Sequence, residues 1–270
     1  MIEIRSLEGV SFERMTAAFN DAFSDYDIPA NYTVEYLTNL VVRRGYRPDL
    51  AVGAFDDDRL VGFVFNCLDG DEAYNSGTGV VISHRRRGIG RQLMQRSIET
   101  LPANRYILEV IDSNHRAEAL YRQLGFVEMR RLQSWKLATP HPPLGGDLSP
   151  RERSVGTERD RVRGIDESWW DQRPSWQNTL ASLRRAREPY EILGDDRGYI
   201  VVFPSNGDVP LLAVRSDQRR KGIGRELLAA ASHCVGKPLR IMNAEDRFER
   251  FLERCGATKL VRQIEMMKTR

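Results

Sequence analysis

Only three cysteines, Cys67, Cys234 and Cys255, occur in the 270 residues, and no two of them form a C-x-x-C pair. An odd and scattered set cannot build a disulfide framework, which predicts a reducing compartment. The four histidines, His84, His115, His141 and His233, make no ligand spacing with these cysteines, so no metal site is expected. Long hydrophobic runs are missing too. Nothing approaches the roughly 18 apolar residues of a membrane helix, and Met1-Ile2-Glu3-Ile4-Arg5 alternates like a first strand rather than a leader. These absences predict a cytoplasmic chain with no membrane partner. Charge of one sign is also lacking: 41 basic residues stand against 38 acidic ones, for a net +3, so composition gives no argument for nucleic acid. What is present is the 41% hydrophobic and 29% charged content of a folded protein, at a length suited to two domains of about 100–150 residues.

Proline and glycine concentrate in Thr139-Pro140-His141-Pro142-Pro143-Leu144-Gly145-Gly146, which reads as a linker. The chain therefore divides into a first domain at 1–138, a linker and charged lead-in at 139–164, and a second domain at 165–270. In the first domain helical patterns over 12–23 and 33–43 precede strands at 50–55 and 60–66 around the turn Asp56-Asp57-Asp58-Arg59. A strand near 79–82 enters a glycine loop and a helix whose Leu93, Met94, Ser97, Ile98 and Leu101 share one face. A strand at 106–111, a helix at 116–124 and a strand pair over 126–137 complete an α/β fold with a mixed sheet. The second domain repeats the plan on a smaller scale, with a helix at 176–187 and strands at 190–193, 199–203 and 211–214. Trp169, Trp170 and Trp176 read as packing aromatics rather than a ligand cage.

The repeat is legible residue by residue. Arg87-Gly88-Ile89-Gly90-Arg91-Gln92-Leu93-Met94 returns 134 positions later (88 to 222) as Lys221-Gly222-Ile223-Gly224-Arg225-Glu226-Leu227-Leu228. Each copy lies between a strand and a helix. Glycines there let successive N–H groups turn toward one point, and the helix N-terminus adds about half a positive charge, so the pattern predicts a phosphate cradle. It is not a dinucleotide fingerprint, because Leu93 and Leu227 stand at the third glycine. It is not a P-loop either, because G-x-x-x-x-G-K-[ST] is absent.

These residues resemble the GNAT superfamily of general N-acetyltransferases. The [Q/R]-x-x-G-x-[G/A] signature is matched by Arg85-x-x-Gly88-x-Gly90 and by Arg219-x-x-Gly222-x-Gly224. The N-x-x-A-x-x-L-Y-x-x-x-G-F signature is matched by Asn114, Ala117, Leu120, Tyr121, Gly125 and Phe126. The resemblance implies two tandem GNAT-like domains, the second degenerate, with acetyl-CoA as co-substrate. It assigns the cofactor to Val80, Val81, Ile82, Arg85, Arg86, Arg87, Gly88, Ile89, Gly90, Arg91 and Asn114. A second cofactor site would use Val214, Arg219, Arg220, Lys221, Gly222, Ile223, Gly224 and Arg225. Isoleucine replaces the family's frequent proline at position 82, a tolerable departure because backbone atoms make the contact.

Acetyl transfer needs a neutral amine and a proton for the leaving thiolate. Tyr121 falls at the family's acid position. Leu108-Glu109-Val110 with Ser113-Asn114 is similar to the ribosomal-protein N-terminal acetyltransferases, which makes Glu109 the candidate base. A structural carboxylate paired to arginine is the other reading of Glu109, and a packing aromatic that of Tyr121. Asp25, Tyr26 and Asp27 are candidates for the acceptor lip, or else helix caps and a solvated turn. Aligning Gly256 with Gly125 places Leu252 at the tyrosine position. Asn243 to Gly256 then counts two residues more than Asn114 to Gly125, and the second domain is expected to keep the cradle without the chemistry. The acceptor is an amine-bearing small molecule, a peptide N-terminus or a lysine. Two alternatives stand beside an enzyme: a non-catalytic CoA sensor, and a nucleic-acid binder using His84-Arg85-Arg86-Arg87, Arg184-Arg185 and Arg219-Arg220-Lys221.

Overall fold

Residues 1–26, 30–138, 162 and 165–270, together with the backbone of 150–153, are described in this computed structural model. The linker at 139–164 and Asp27 fall outside, or almost wholly outside, these residues. Two compact units result: Met1–Met129 with Glu265–Arg270, and Arg130–Ile264.

In the first unit β1 (Ile2–Ser6) leads into α1 (Phe12–Ala22) and α2 (Val34–Arg43). Both helices start on a side-chain cap, since the Ser11 and Thr33 hydroxyls accept the N–H groups of Arg14 and Tyr36. Strands β2 (Val52–Asp56), β3 (Arg59–Asp69) and β4 (Glu72–Val80) form an antiparallel meander, and α3 (Ile89–Thr100) carries the chain over to β5 (Arg105–Ile111), parallel to β4. Then come α4 (His115–Gln123) and β6 (Val127–Leu137). The strand pair expected over 126–137 is thus a single eleven-residue strand. Helix α3 buries Ile89, Leu93, Met94 and Ser97 against the sheet, the face its spacing predicts. The sheet order is β1-β2-β3-β4-β5, with the chain's last strand on the far side of β5.

The second unit contains β7 (Pro150–Arg153), α5 (Leu180–Arg185), β8 (Glu191–Asp195), β9 (Gly198–Phe203), β10 (Asp208–Val214), α6 (Ile223–Val235), β11 (Leu239–Glu245), α7 (Glu249–Arg254) and β12 (Ala257–Thr269) up to Ile264. Its sheet runs β7-β8-β9-β10-β11, and the part of β6 from Arg130 onward pairs antiparallel with β11. The helix expected at 176–187 is instead a 3-10 turn, Trp176–Asn178, followed by α5. Thr179 breaks it: its backbone is extended and its hydroxyl caps α5 by accepting Ser182 N–H. Trp169 packs near the ring of Tyr199, and the indole N–H of Trp170 donates to the Tyr199 hydroxyl, so these two partly buried tryptophans pack against the edge of the core.

Candidate active site

Strands β4 and β5 begin side by side and then part. They pair from Glu72↔Arg105 to Asn75↔Leu108, yet β4 continues to Val80 and β5 to Ile111. A bulge in β4 accompanies the parting. Against β3, Thr78 faces Val64 and Asn75 faces Asn66, so Ser76 and Gly77 together stand opposite Phe65, one residue more than the register needs. The Asn75 side chain compensates by accepting Gly77 N–H at 3.0 Å. The opening leaves two strand edges with backbone groups that an extended ligand can pair. Sequence periodicity placed this strand near 79–82, whereas it ends at Val80 and Ile82–His84 is a 3-10 turn.

Beyond that turn the glycine loop begins. Arg86 and Gly88 take left-handed φ of 65° and 76°, and Gly88 caps α3. A left-handed non-glycine residue costs roughly 1 kcal/mol, which points to a constrained function. No acid lies in the first turn of α3 and no side chain caps it, so its N–H groups face outward. The space is open as well. A Cβ on Gly88 would come only within 3.8 Å of Gln92 Nε2, and one on Gly90 within 3.9 Å of Val80 Cγ2.

Arg85 is placed differently from the other loop arginines. Its Nε donates to Val80 O at 3.2 Å, Nη2 to Ala22 O at 2.7 Å, and the two Nη atoms grip Asp25 at 2.6 and 2.9 Å. The guanidinium beside Asp25 holds that carboxyl below its ordinary range and raises its own affinity for the proton. Arg85 therefore staples the end of α1 to the end of β4. The other loop arginines are Arg86, Arg87 and Arg91. Of these, Arg87 donates to Ser83 O at 3.2 Å and Arg91 to Gln123.

The remaining polar groups meet at the opening. Asn114 caps α4 by accepting Ala117 N–H at 3.1 Å, which frees its amide nitrogen to donate to the Tyr26 hydroxyl at 3.0 Å. Tyr121, on the next turn of α4, is 8% exposed and hydrogen-bonded to Thr78 of β4. Asn75 Nδ2 donates to that threonine hydroxyl at 2.7 Å. Burial pushes the Tyr121 phenol up to about 12, the bond to Thr78 pulls it down and nearby Tyr26 pushes it up. Tyr26 itself is raised, mainly by burial. Tyr121, Asn114 and Tyr26 are thus brought together, along with Thr78 and Asn75, which sequence reasoning missed. The polar run Asn75-Ser76-Gly77-Thr78-Gly79 inside a strand was their signal.

Glu109 is half-buried on β5, one residue past the last pair with β4. Strand alternation puts it on the face opposite Tyr106, whose ring packs on Phe126 beside Tyr121. Its carboxylate instead lies near Tyr74, where burial first and the Glu109 charge second push the phenol far up. Glu109 thus lies on the face of β5 away from the one that packs beside Tyr121. Among the described residues no group of three or more His, Cys, Asp or Glu side chains is placed to hold a metal. No helix of these residues is long and apolar enough to cross a membrane.

Residues 12–126, which hold the parted strand pair, the glycine loop at a helix N-terminus and the buried Tyr121, match the model of the acetyltransferase (GNAT) family. That match lies within the first unit. Solved structures extend the likeness to the whole chain. The tandem GNAT protein from the clavulanic acid biosynthesis pathway, without AcCoA, is 16% identical with a TM-score of 0.70, over 100% of this chain and 98% of that one. A GCN5-related N-acetyltransferase from Sphaerobacter thermophilus is 18% identical with a TM-score of 0.68, over 99% and 95%. Another, from Kribbella flavida, is 14% identical with a TM-score of 0.58, over 100% and 71%. Identities this low speak to the fold, which is that of tandem GNAT proteins. No curated protein sequence matches the chain significantly.

The second unit repeats the GNAT frame. Strands β10 and β11 pair in parallel only at Asp208↔Arg240 and Val209↔Ile241 before parting. Arg220 and Gly222 repeat the left-handed φ at 61° and 90°. Arg219 repeats the staple, with Nε donating to Val214 O at 3.1 Å, Nη2 to Trp169 O at 3.2 Å, and Nη1 pairing Asp171 at 2.6 Å. One expectation is corrected. Asn243 lies within β11, and β11 is offset from β5 by the same 134 positions as the loops, so Asn243 stands at the place of Glu109 rather than Asn114. From strand end to the left-handed glycine the second unit is shorter, Glu245 to Gly256 against Ile111 to Gly125. Leu252, 2% exposed, faces the core where Tyr121 stands in the first unit.

Proposed function

We propose that the first unit is an N-acetyltransferase that moves an acetyl group from acetyl-CoA to a primary amine, on a small molecule, a peptide N-terminus or a lysine. The observation that carries this reading is the Tyr121 hydroxyl, kept protonated by burial and held at Thr78 where β4 and β5 part.

The chain's residues fit acetyl-CoA. An acid-free helix start with open space over Gly88 and Gly90 suits a diphosphate, and the parted strand edges suit an amide-bearing arm. When bound, acetyl-CoA supplies an activated thioester. Backbone N–H groups of Gly88, Ile89, Gly90 and Arg91 hold the diphosphate, with Arg86, Arg87 and Arg91 adding charge. The edge at Val80, Val81 and Ile82 orients the arm, and Arg85 supports the cradle from behind through Asp25. Asn114 fixes Tyr26, which forms one wall of the acceptor side. Glu109 takes the proton from the acceptor ammonium, directly or through water, and the neutral amine attacks the carbonyl carbon. Tyr121 Oη gives its proton to the departing sulfur, and the phenol is restored by the proton released from the amine.

Thiol release from acetyl-CoA across a panel of amines and peptides tests this. Release should require an acceptor and fall sharply in Tyr121→Phe. No acceptor-dependent release, or full turnover in Tyr121→Phe, would overturn it.

A further inference from the structure

In the second unit, the places that a cofactor needs are filled by the chain itself. The Gln172 side-chain amide lies along the edge of β11: its Nε2 donates to Asn243 O at 3.2 Å and its Oε1 accepts Glu245 N–H at 2.8 Å. It satisfies there the kind of backbone groups that an amide-bearing ligand would pair. The segment around it is held fast. Ser175 Oγ meets Asn243 Nδ2 at 3.1 Å, Asn178 Nδ2 donates to Met242 O at 3.1 Å, and Arg247 donates to Asp171 O at 2.9 Å.

The second glycine loop differs in the charge beside it. Glu226, in the first turn of α6, puts Oε1 3.9 Å from where a Cβ on Gly222 would lie. The residue at the same place in the first loop is Gln92, whose neutral Nε2 stands 3.8 Å from the corresponding point on Gly88. That carboxylate, 3.6 Å from the Arg197 guanidinium, sets negative charge at the helix end that a phosphate would otherwise meet. A third occupant is Phe251. A Cβ on Gly224 would come within 2.9 Å of its ring, whereas the nearest atom at Gly90 is 3.9 Å away.

We infer that this chain binds one CoA, at the first loop only, because Glu226, Gln172 and Phe251 serve as intrachain occupants of the second site. The inference rests on the proposed function for the first loop and revises the expectation of a second cradle at Arg219, Arg220, Lys221, Gly222, Ile223, Gly224 and Arg225. The residue that separates the two loops is the amide at 92 against the carboxylate at 226.

Isothermal titration of the full chain with CoA, with hydrogen exchange read at both loops, tests it. One CoA per chain is expected, with protection of the amides at 88–91 and none at 222–225. Gln92→Glu, which copies Glu226 onto an exposed position of the first loop, should weaken binding by about tenfold or more through like-charge repulsion, with thermal melting as the control for folding. Two CoA per chain, protection at 222–225, or unchanged affinity in folded Gln92→Glu would overturn the inference while leaving the proposed function standing. Absence of all binding would instead sink the proposed function, and the count of one with it.

Discussion

Arg85 grips both carboxylate oxygens of Asp25, at 2.6 and 2.9 Å, and so ties the end of α1 to the carbonyl that closes β4. Removing the carboxylate should loosen the frame of the glycine loop rather than the acceptor wall. Asp25→Ala is expected to raise KM for acetyl-CoA severalfold with little change in acceptor KM. Because Asp25 is half-exposed, the pair contributes no more than about 1 kcal/mol to stability. Its folded pKa lies below the ordinary carboxylate value, so the contribution is present above the unfolded pKa and disappears as pH falls through the folded one. Urea melts of wild type and variant should differ at neutral pH and converge in strong acid.

In the proposed reaction Tyr121 can serve as the acid only while protonated, and burial pushes its pKa up to about 12. Rate should therefore not fall through the region near pH 10, where a free phenol loses its proton. Tyr121→Phe should lower kcat about 10–10³-fold and leave CoA affinity unchanged. A pH–rate profile with CoA titrations reads both. A wild-type decline centred near pH 10 that persists in Tyr121→Phe would assign the alkaline limb to another group.

Much of this site could be read in the sequence, for physical reasons that differ between its parts. The two glycine loops repeat in spacing and in residue type, and the left-handed φ values at Arg86, Gly88, Arg220 and Gly222 show why glycine recurs there. Tyr121 and Asn114 come from a helical motif whose spacing survives into α4. Strand β4 was hidden because Asn75, Ser76 and Gly77 serve a bulge, and strand propensity counts such residues against a strand. Arg85 and Arg219 look like phosphate ligands in one dimension. Only the fold brings Asp25 and Asp171 to them. Gln172 reaches β11 across some seventy positions, so no local pattern could reveal it.

The role of Glu109 makes a separate expectation, since a base matters most while the acceptor is still protonated. Glu109→Gln should lower kcat/KM on the order of 10–10²-fold at neutral pH for an amine of ordinary pKa. The deficit should shrink as pH rises toward the acceptor's own pKa, where solvent does the deprotonation. A deficit constant across pH would mark Glu109 as a structural carboxylate near Tyr74 instead.

Leu252 offers the sharpest contrast between the units, because it lacks only the phenol that Tyr121 supplies. If that phenol were all the second unit needed, Leu252→Tyr would create a second centre. The geometry argues otherwise. Gln172 already spans Asn243 and Glu245 at the strand edge, Glu226 faces the glycine loop, and Asn243 replaces the carboxylate of Glu109. The site 2% exposed at Leu252 would also have to admit a larger side chain with a hydroxyl to satisfy, at a stability cost of about 1–3 kcal/mol. In a Tyr121→Phe background, Leu252→Tyr is therefore expected to melt earlier and to leave thiol release at the level of Tyr121→Phe alone. Recovery of turnover in that double variant would mean that the occupants yield to acetyl-CoA.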